Sequence, residues 1–518
     1  MQSKGLWKII GASSLGTLIE WYDFYIFGSL ATIISLKFFP ANNPSAAFLA
    51  TLATFAAGFI VRPFGALFFG RLGDIIGRKY TFTITLLLMG GATFLMGCIP
   101  SYESIGFWAP VLILALRLLQ GLALGGEYGG AATYVAEHAP VNQRGYWTSW
   151  IQTTATIGLF VSLLVIMLTR MALSQEDFNE WGWRVPFWLS ILLVAVSYFI
   201  RTKMGESPQF ERLKEKGNIS KNPLKESFGK KDNFKYVLLA LFGATMGQGV
   251  IWYTGQFYAM NFLEKICFLD KMQSDVLIAI ALLMGTPFFI VFGALSDKIG
   301  RKKIMLLGML LATFCYRPIY DKMYQTISVK NKIEIIEKRN EEINISKNKN
   351  TNLIDSVKCL SYFYTDGTIK TEEILSNVNL ESKPSTNIKA ESKIVIKINN
   401  KNRWILIFMV FIQVIFVAMV YGPIAAFLVE LFPTKIRYTS MSLPYHIGNG
   451  VFGGLLPAVA VYLASKANEA NTIAAKQGYS LPFEKPYLEG LWYPIIISAI
   501  CFLIGLIYIN SNERKIDE

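Results

Sequence analysis

The sequence predicts an all-α membrane protein in which twelve transmembrane helices form two bundles of six. Three observations predict this class: long apolar runs, basic residues in alternate loops, and a motif that recurs in both halves. Of the 518 residues, 53% are hydrophobic and only 17% are charged, against about 25% charged in an average soluble domain. A run such as 81–99 contains no charged residue, and about 20 apolar residues are enough to cross a bilayer.

The apolar runs set the order of the helices and domains. We expect membrane helices near 9–37, 46–70, 80–100, 107–136, 146–171, 184–201, 236–263, 274–297, 304–320, 403–429, 440–464 and 489–510. The domains that follow are a first bundle over 1–201, a cytoplasmic linker over 202–235, a second bundle over 236–510 and a cytoplasmic tail over 511–518.

The net charge of +14 is distributed as an orientation signal. Arg71, Arg78 and Lys79 lie in one short loop, and Lys298 and Arg301 lie in another. Short loops rich in Lys and Arg stay on the cytoplasmic side. We therefore expect a multi-pass protein of a bacterial inner membrane with both termini cytoplasmic. The lipid bilayer explains the positive charge, and no nucleic-acid partner is expected.

An internal repeat supports two related bundles. The segment from Gly70 to Lys79 recurs from Gly293 to Lys302, an offset of 223 residues. A second set aligns at an offset of 293: Tyr128, Gly129, Glu137, Pro140 and Arg144 with Tyr421, Gly422, Glu430, Pro433 and Arg437. The second half has therefore gained about 70 residues, and the polar stretch 321–402 predicts an extracytoplasmic insertion. Its composition favours disorder or a small domain, with one strand over Ile394–Ile398.

The repeated Gly-x-x-x-Asp-x-x-Gly-Arg-Lys loop resembles the mark of the major facilitator superfamily. Further blocks resemble its metabolite:proton symporter subgroup, which includes proline/betaine, 2-oxoglutarate, citrate and shikimate carriers. These blocks are Glu20–Phe24, Arg62–Gly65, Gly125–Ala131, Trp181–Phe187 and Glu206–Phe210. The resemblance implies secondary active transport by alternating access. The expected activity is proton-coupled uptake of a small polar organic solute, namely a carboxylate, an amino acid or a betaine, by a monomer.

Three charged residues are predicted near the middle of the membrane. Glu20 and Asp23 lie about 16 and 21 Å from the start of the first helix, and Arg117 lies about 15 Å from the outer end of the fourth. A charge at that depth costs about 2.5–3.5 kcal/mol. A carboxylate pair beside a buried Arg predicts a proton switch, and a fixed structural ion pair is the alternative. Glu127 is a further proton-coupling candidate, with an inter-helix hydrogen bond as its alternative.

The second half offers neutral groups for solute recognition. Gln248, Trp252 and Gln256 follow each other at i, i+4 and i+8 on the seventh helix, beside Tyr253. Such groups suit hydrogen bonding and cation–π contact, although an aromatic stripe also fits plain packing. With Arg117, these four residues form the predicted substrate site.

A closed conformation must be held by contacts between the two halves. The repeated loops contain candidate residues for such contacts. By resemblance, they latch helix ends in one conformer; anchoring the topology is the alternative. Glu137 with Arg144 and Glu430 with Arg437 are expected to form related cytoplasmic contacts. Arg62, which precedes Pro63, predicts either cavity electrostatics or a contact that stabilises a kink. The gating candidates are therefore Arg62, Asp74, Arg78, Asp297, Arg301, Glu137, Arg144, Glu430 and Arg437.

Enzymatic chemistry is not expected. The five cysteines and two histidines show no metal spacing, and no phosphate-binding loop or catalytic serine motif stands out. We predict no cofactor, no metal and no enzymatic activity. An uncoupled facilitator or exchanger and a transporter-like membrane sensor remain the alternative functions.

Overall fold

The computed structural model describes residues 3–40, 44–347, 354–378 and 391–509. Twelve membrane helices dominate it. In chain order they are α1 (Ser3–Ser29, continued by Ala31–Phe38), α2 (Pro44–Ile60, continued by Arg62–Ile75), α3 (Arg78–Met96), α4 (Trp108–His138), α5 (Val141–Ala172), α6 (Gly182–Thr202), α7 (Lys231–Ile266), α8 (Lys271–Ile299), α9 (Arg301–Ile327), α10 (Asn400–Leu431), α11 (Thr434–Lys476) and α12 (Pro486–Tyr508).

Ten of the helices in the described ranges, α3 to α12, are long and apolar enough to cross a membrane. Of the other two, α1 carries charged residues within its span, whereas the first segment of α2, Pro44–Ile60, is uncharged and has only 17 residues. Glu20 and Asp23 lie on α1, and Arg62 and Asp74 lie on α2. Buried charged residues thus lie on α1 and α2 as well as on α4, which carries Arg117 and Glu127.

Close helix packing in the first half depends on glycine. A Cβ added at Gly65 on α2 would lie 2.0 Å from the carbonyl oxygen of Leu122 on α4. A Cβ at Gly121 on α4 would lie 2.2 Å from the carbonyl oxygen of Gly58. Small residues allow such close backbone approach where apolar side chains gain nothing by leaving lipid. These contacts hold α4 and α2 side by side, which brings Arg117 of α4 and Arg62 of α2 close enough to interact electrostatically.

Two helices of the second half contain π-helical stretches. In α7 these are Leu241–Thr245, Thr254–Tyr258 and Phe262–Ile266, and in α11 the stretch is Gly448–Gly453. Such stretches often occur at functional sites. The predicted substrate residues of α7 lie between or within the first two.

The insertion forms an antiparallel sheet between α9 and α10. Its strands are β1 (Asn340–Lys347), β2 (Ile354–Phe363), β3 (Ile369–Val378) and β4 (Glu391–Lys397), paired in that order. The helix α9 continues to Ile327, past the predicted start of the insertion, so we use this name for residues 328–399. The predicted single strand, Ile394–Ile398, overlaps β4 and extends one residue beyond it. Residues 348–353 and 379–390 lie outside the described residues, as does the predicted tail 511–518.

Strand β4 joins the sheet to the second half. The backbone of Ile396 exchanges hydrogen bonds with the turn between α7 and α8, donating to Phe268 at 2.7 Å and accepting from Asp270 at 2.9 Å. Phe268 takes a left-handed conformation, with φ of 58°, in this turn. The side chain of Gln273 on α8 adds two hydrogen bonds to the backbone of Ile398. The sheet is therefore anchored to the second half.

The hairpin between β2 and β3 is held at its turn by Asp366. Its carboxylate accepts hydrogen bonds from the backbone of Thr368 at 2.9 Å and from Asn402 at 3.2 Å, and pairs with Lys332 at 2.9 Å. Burial by itself would raise the pKa of Asp366, but these hydrogen bonds and the Lys332 ammonium lower it overall. The Asp-Gly sequence suits such a turn, and Gly367 adopts φ of 82°.

Candidate functional site

The two carboxylates of α1 lie in the interior on one side of the helix, but they have different neighbours. Glu20 keeps 8% of its surface and interacts electrostatically with Arg62. Asp23 keeps 1% and accepts a hydrogen bond from the hydroxyl of Thr93 on α3 at 2.8 Å. The second oxygen of Asp23, Oδ1, has no hydrogen-bond partner among the described residues.

A polar chain leads from Asp23 to Arg117. The amide of Gln120 donates to the Thr93 hydroxyl at 2.8 Å, and its oxygen accepts from the Arg117 guanidinium. Arg117 is 2% exposed and lies 4.6 Å from the centre of the Phe27 ring. The structure thus brings the predicted carboxylate and the predicted cation into one network within the first half.

Glu127 is held in a different network. Its carboxylate pairs with Arg201 of α6 at 2.8 Å and accepts from the hydroxyl of Thr85 at 2.8 Å. Both charged side chains are almost fully buried, at 1% exposure each. The Arg201 guanidinium also lies 3.4 Å from the centre of the Phe82 ring. Glu127 therefore ties α4 to α6 and α3, apart from the Asp23 network.

Aromatic rings from both halves meet at the centre of the molecule. The ring of Trp21 on α1 lies 5.3 Å from that of Trp252 on α7. Trp252 also contacts Tyr253 at 4.9 Å and Tyr421 of α10 at 6.4 Å. We call Trp21, Trp252, Tyr253 and Tyr421 the aromatic cluster. It lies beside Glu20, whose charge acts on Tyr421.

The predicted glutamines of α7 differ in what they contact. Gln248 is fully buried and exchanges two hydrogen bonds with Asn449 of α11, at 3.1 and 3.0 Å. Gln256 keeps 8% of its surface and lies in the second π-helical stretch. The amide of Gln248 is therefore already paired within the second half.

Three tyrosines close the centre toward the end of the molecule that carries the repeated loops. Tyr128 of α4 stacks on Tyr445 of α11 with ring centres 3.7 Å apart. The Tyr445 hydroxyl lies 2.8 Å from that of Tyr421, and Gln152 donates to the Tyr128 hydroxyl at 2.9 Å. This stack joins the two halves.

Arg62 lies in the centre and not with the other gating candidates. Its guanidinium is 4.3 Å from the centre of the Phe59 ring and 6.0 Å from that of Phe24. Arg62 begins the helical segment that follows the break in α2 after Ile60, with Pro63 in its first turn. Arg62 and Glu20 therefore give the central space one cation and one carboxylate near each other.

The face with the repeated loops, which we call the motif face, is closed by Asp74. This carboxylate of α2 accepts from the backbone N–H groups of Tyr438 at 3.3 Å and Thr439 at 2.8 Å. Both N–H groups lie in the first turn of the helical segment that begins at Arg437. A carboxylate at a helix N-terminus meets unpaired N–H groups and the positive end of the helix dipole.

Asp297 makes the same contact in the opposite direction. This carboxylate of α8 accepts from the backbone N–H groups of Gly145 at 2.9 Å and Tyr146 at 2.7 Å. Asp297 corresponds to Asp74 at the 223-residue offset, and Gly145 and Tyr146 correspond to the partners of Asp74 at the 293-residue offset. Each half thus caps a helix of the other half, and the motif face is closed by a pair of equivalent contacts.

Arginines reinforce the first of these contacts. Arg78 pairs with Asp74 at 2.8 Å and with Glu137 at 3.5 Å, and Arg437 pairs with Glu137 at 2.9 Å. Glu206 of the linker accepts from the backbone N–H of Arg78 at 3.1 Å. Arg437 and Glu137 come from different halves, so this network also joins them.

The second contact has a more exposed version of the same network. Arg301 pairs with Asp297 at 2.6 Å and with Glu430 at 3.0 Å, and Glu430 is 31% exposed. Arg144 donates to the backbone carbonyl of Ala136 at 3.2 Å. All gating candidates except Arg62 therefore lie at the motif face.

The geometry described so far is that of a known family of carriers, and residues 9–336 match its model, sugar (and other) transporter. The chain belongs to this family of the major facilitator superfamily. It is a multi-pass membrane transporter with the twelve-helix major facilitator fold. Fold and relatives are those of transporters and not of enzymes.

The relatives of this transporter are named for different solutes. It is 36% identical over 310 residues to the proline/betaine transporter of Salmonella typhimurium, covering 58% of this chain and 61% of that protein. The match thus spans about three-fifths of that relative. It is 36% identical over 312 residues to the alpha-ketoglutarate permease of Escherichia coli, covering 60% and 70%, and 34% identical over 314 residues to the shikimate transporter of the same organism, with the same coverage.

A solved structure shares the fold. The proton:xylose symporter XylE bound to 6-bromo-6-deoxy-D-glucose superposes with a TM-score of 0.68 at 14% identity, covering 99% of this chain and 97% of that one. At that identity the likeness concerns the fold alone.

Four contacts of this transporter were not predicted from the sequence. They are the pairing of Glu127 with Arg201, the amide pair of Gln248 with Asn449, the stack of Tyr128 on Tyr445, and the capping of α3 by Glu206. The repeat gives a signal for one of them, because Tyr445 corresponds to Gln152 at the 293-residue offset, and both approach Tyr128.

Proposed function

We propose that this transporter is a proton-coupled importer of a small polar organic solute, namely a carboxylate, an amino acid or a betaine. It works by alternating access, as a monomer, in a bacterial inner membrane. Asp23 carries the coupling proton and Glu20 shares its site. The aromatic cluster, with Arg117 and Gln256, receives the solute.

The environment of Asp23 is the observation that carries this proposal. A buried carboxylate that lacks a full set of partners is costly as an anion. Asp23 has one oxygen without a hydrogen bond, while the other is linked through Thr93 and Gln120 to Arg117. The lack of partners favours binding a proton, whereas the nearby cation favours releasing it. Opposing influences of this kind suit a group that must do both in each transport cycle.

Glu127 is a weaker candidate for the same role. Its anion already has Arg201 at 2.8 Å and the Thr85 hydroxyl at 2.8 Å. Protonation would leave Arg201 as an unpaired buried cation, which is strongly unfavourable. We assign Glu127 a structural role.

The central groups suit a solute with separated charges. Glu20 and the π faces of Trp252 and Tyr253 favour a cationic group, while Arg117 and Arg62 favour a carboxylate. Relatives are named for proline and betaine, for alpha-ketoglutarate and for shikimate. The charged groups of each of these solutes suit this set of residues. Which charge dominates decides the solute, so all three classes belong in the test.

The orientation follows from the basic loops. Arg71, Arg78, Lys298 and Arg301 lie at the motif face, and short basic loops remain cytoplasmic. We therefore place the motif face inside and the insertion outside. The closed motif face then corresponds to a carrier sealed toward the cytoplasm.

Transport by vesicles tests the proposal. Purified protein in vesicles is given an imposed pH gradient and labelled glycine betaine, proline, 2-oxoglutarate or shikimate. At least one of these should accumulate only with the gradient. Asp23→Asn keeps the shape of the side chain but cannot titrate, so it should abolish accumulation while solute exchange without a gradient continues.

The control for this experiment is Glu103→Gln, which removes an exposed carboxylate from the loop before α4 and should leave both activities unchanged. Full gradient-driven accumulation by Asp23→Asn would refute its role. Entry of a solute only up to its equilibrium level, at a rate that does not depend on the pH gradient, would instead indicate a facilitator. Binding without transport would indicate a sensor.

A further inference from the structure

A cavity of about 980 Å³ lies between the insertion and the second half, and no residue of the aromatic cluster lines it. The ends of α7 and α9, the start of α10, part of α11 and the loop before α12 line it together with the insertion. Its volume is in the range of about 300–1,000 Å³ found for small-molecule sites. Nothing in the proposed transport mechanism uses this space.

The lining of this cavity, which we call the outer cavity, is strongly basic. Two of its lysines are paired, because Lys332 contacts Asp366 at 2.9 Å and Lys485 contacts Asp321 at 2.9 Å. The lysines that line it are Lys265, Lys322, Lys330, Lys332 and Lys485, against the carboxylates of Asp366 and Glu484. Apart from these two ion pairs, the lining contains three lysines and one carboxylate, that of Glu484.

The three remaining lysines lack close ionic partners. Within the described ranges, no carboxylate oxygen lies within 4 Å of the ammonium groups of Lys265, Lys322 or Lys330. They come from three different segments: the end of α7, the last turns of α9 and the start of the insertion. Cations gathered from separate segments around one space repel each other unless an anion or solvent screens them.

The elements that present these lysines are fixed by packing. The ring of Tyr324 on α9 stacks on Tyr487 with centres 3.9 Å apart. The Tyr487 hydroxyl donates to Asp321 at 2.6 Å, and Gln325 donates to the same carboxylate at 2.9 Å. The wall formed by α9 and the loop before α12 is therefore held independently of any ligand, which lowers the entropy cost of binding.

The depth of the outer cavity places it at the membrane surface. Lys322 follows Arg301 by 21 residues on α9, which is about 32 Å along the helix. The hydrocarbon core is about 30 Å thick. The cavity is thus reached from water or from the headgroup layer on the face opposite the motif face.

We propose that the outer cavity is an anion-binding site for a small molecule that bears carboxylate or phosphate groups. Lys265, Lys322 and Lys330 bind the anion. The two paired lysines, Lys332 and Lys485, form the rim of the site. A soluble anion and the headgroup of an anionic phospholipid share this chemistry. The site depends on the insertion, which contributes Lys330 and Asn331, so the first bundle has no counterpart of it.

Binding to the purified, full-length protein tests this site. Citrate and inorganic phosphate are titrated by calorimetry in a neutral detergent. In parallel, the protein is placed in nanodiscs of mixed phosphatidylglycerol and phosphatidylcholine, and the retained lipid is identified by native mass spectrometry. The double variant Lys322→Gln/Lys330→Gln should lower the affinity for the bound anion by about fivefold or more, as expected from losing exposed charge contacts.

The matched control is Lys338→Gln/Lys397→Gln, which removes the same charge from exposed lysines of the insertion that do not line the outer cavity. It should bind like the unaltered protein. Loss of citrate or phosphate binding in the first variant alone identifies a soluble anion. Loss of phosphatidylglycerol retention in the first variant alone identifies a lipid. If no anion binds, or if the two variants bind alike, the proposal is wrong.

Discussion

Neutralising Asp74 should open the motif face. The substitution Asp74→Asn keeps the size of the side chain but removes its charge and one of the two oxygens that accept from Tyr438 and Thr439. It also removes the partner of Arg78 at 2.8 Å. Asp74 is fully buried in this pair, so solvent screens these interactions little.

The expected magnitude follows from the contact that is lost. A hydrogen bond to a charged group contributes about 1.5–3 kcal/mol, and the helix dipole adds to it. A loss of about 2–3 kcal/mol from the closed conformer corresponds to a shift of about 30- to 150-fold in the ratio of open to closed molecules. Asp297→Asn should produce a smaller shift, because Asp297 and Arg301 keep 6% and 11% of their side-chain surface.

Labelling of a cysteine between the halves measures this shift. Ser442 is 1% exposed, and its hydroxyl lies 2.2 Å from where a Cβ at Gly129 would be. In a cysteine-free background, Ser442→Cys should react slowly with a maleimide applied to the motif face. Adding Asp74→Asn should raise that rate at least tenfold.

The control is Lys298→Gln, an exposed charge next to Asp297 in the last turn of α8, which should leave the rate unchanged. If Asp74→Asn reaches the membrane at normal abundance and labels no faster than its parent, then Asp74 does not hold the motif face closed. The reasoning from helix capping would then be refuted.

Two further predictions concern stability. Glu127→Gln should lower the free energy of unfolding by about 3–5 kcal/mol, because Arg201 is left buried and unpaired; denaturant unfolding in detergent measures this, and Lys466→Gln, at an exposed pair, should have no measurable effect. Because the pKa of Asp366 is lowered in the folded protein, its ionised carboxylate stabilises the insertion at pH values above 3.8, the ordinary pKa of this group. This stabilisation is lost as the pH falls through the lowered pKa of the folded state. Cleavage of residues 328–399 by an acid protease should therefore rise as the pH falls from 6 to 3; Asp366→Asn should raise it already at pH 6 and flatten the profile, whereas Glu341→Gln should not.

The repeat predicted which residues meet at the motif face, but not how they meet. Both offsets could be counted along the chain, so Asp74 and Asp297 were recognisable as equivalent residues. Their partners are backbone N–H groups of the opposite half, which have no side-chain signature. Such contacts depend on how the two bundles are placed against each other, and periodicity within a helix carries no information on that placement.

The charged residues of the centre show the same limit. The depth of Glu20, Asp23 and Glu127 in the membrane could be estimated from their distance to helix ends. Depth alone does not distinguish the roles of these residues, because the role depends on the side chain that each carboxylate contacts. Arg201 lies at the end of α6, where a sequence reading sees only a basic flank of the linker, yet its guanidinium reaches Glu127 at 2.8 Å.

The sequence predicts the position of the insertion but leaves its structure open between disorder and a small domain with one strand. Its polar composition is typical of disorder, and only β4 has a clear run of β-branched residues. The sheet is ordered by contacts outside the strands: Ile396 pairs with the turn between α7 and α8, and Asp366 binds Asn402 at the start of α10. Anchoring of this kind makes up for a weak core, which composition alone does not reveal.

Helix α1 links the proposed proton site to both halves of the transporter. Residues two positions apart on a helix point about 200° apart, so Trp21 and Asp23 lie on nearly opposite sides of α1. Trp21 contacts Trp252 in the second half, at 5.3 Å, while Asp23 accepts from Thr93 within the first half, at 2.8 Å. In the proposed mechanism, a change of charge at Asp23 acts on a helix whose other side forms part of the aromatic cluster. In the proposed mechanism, proton and solute bias the same rigid element, so their coupling requires no longer pathway.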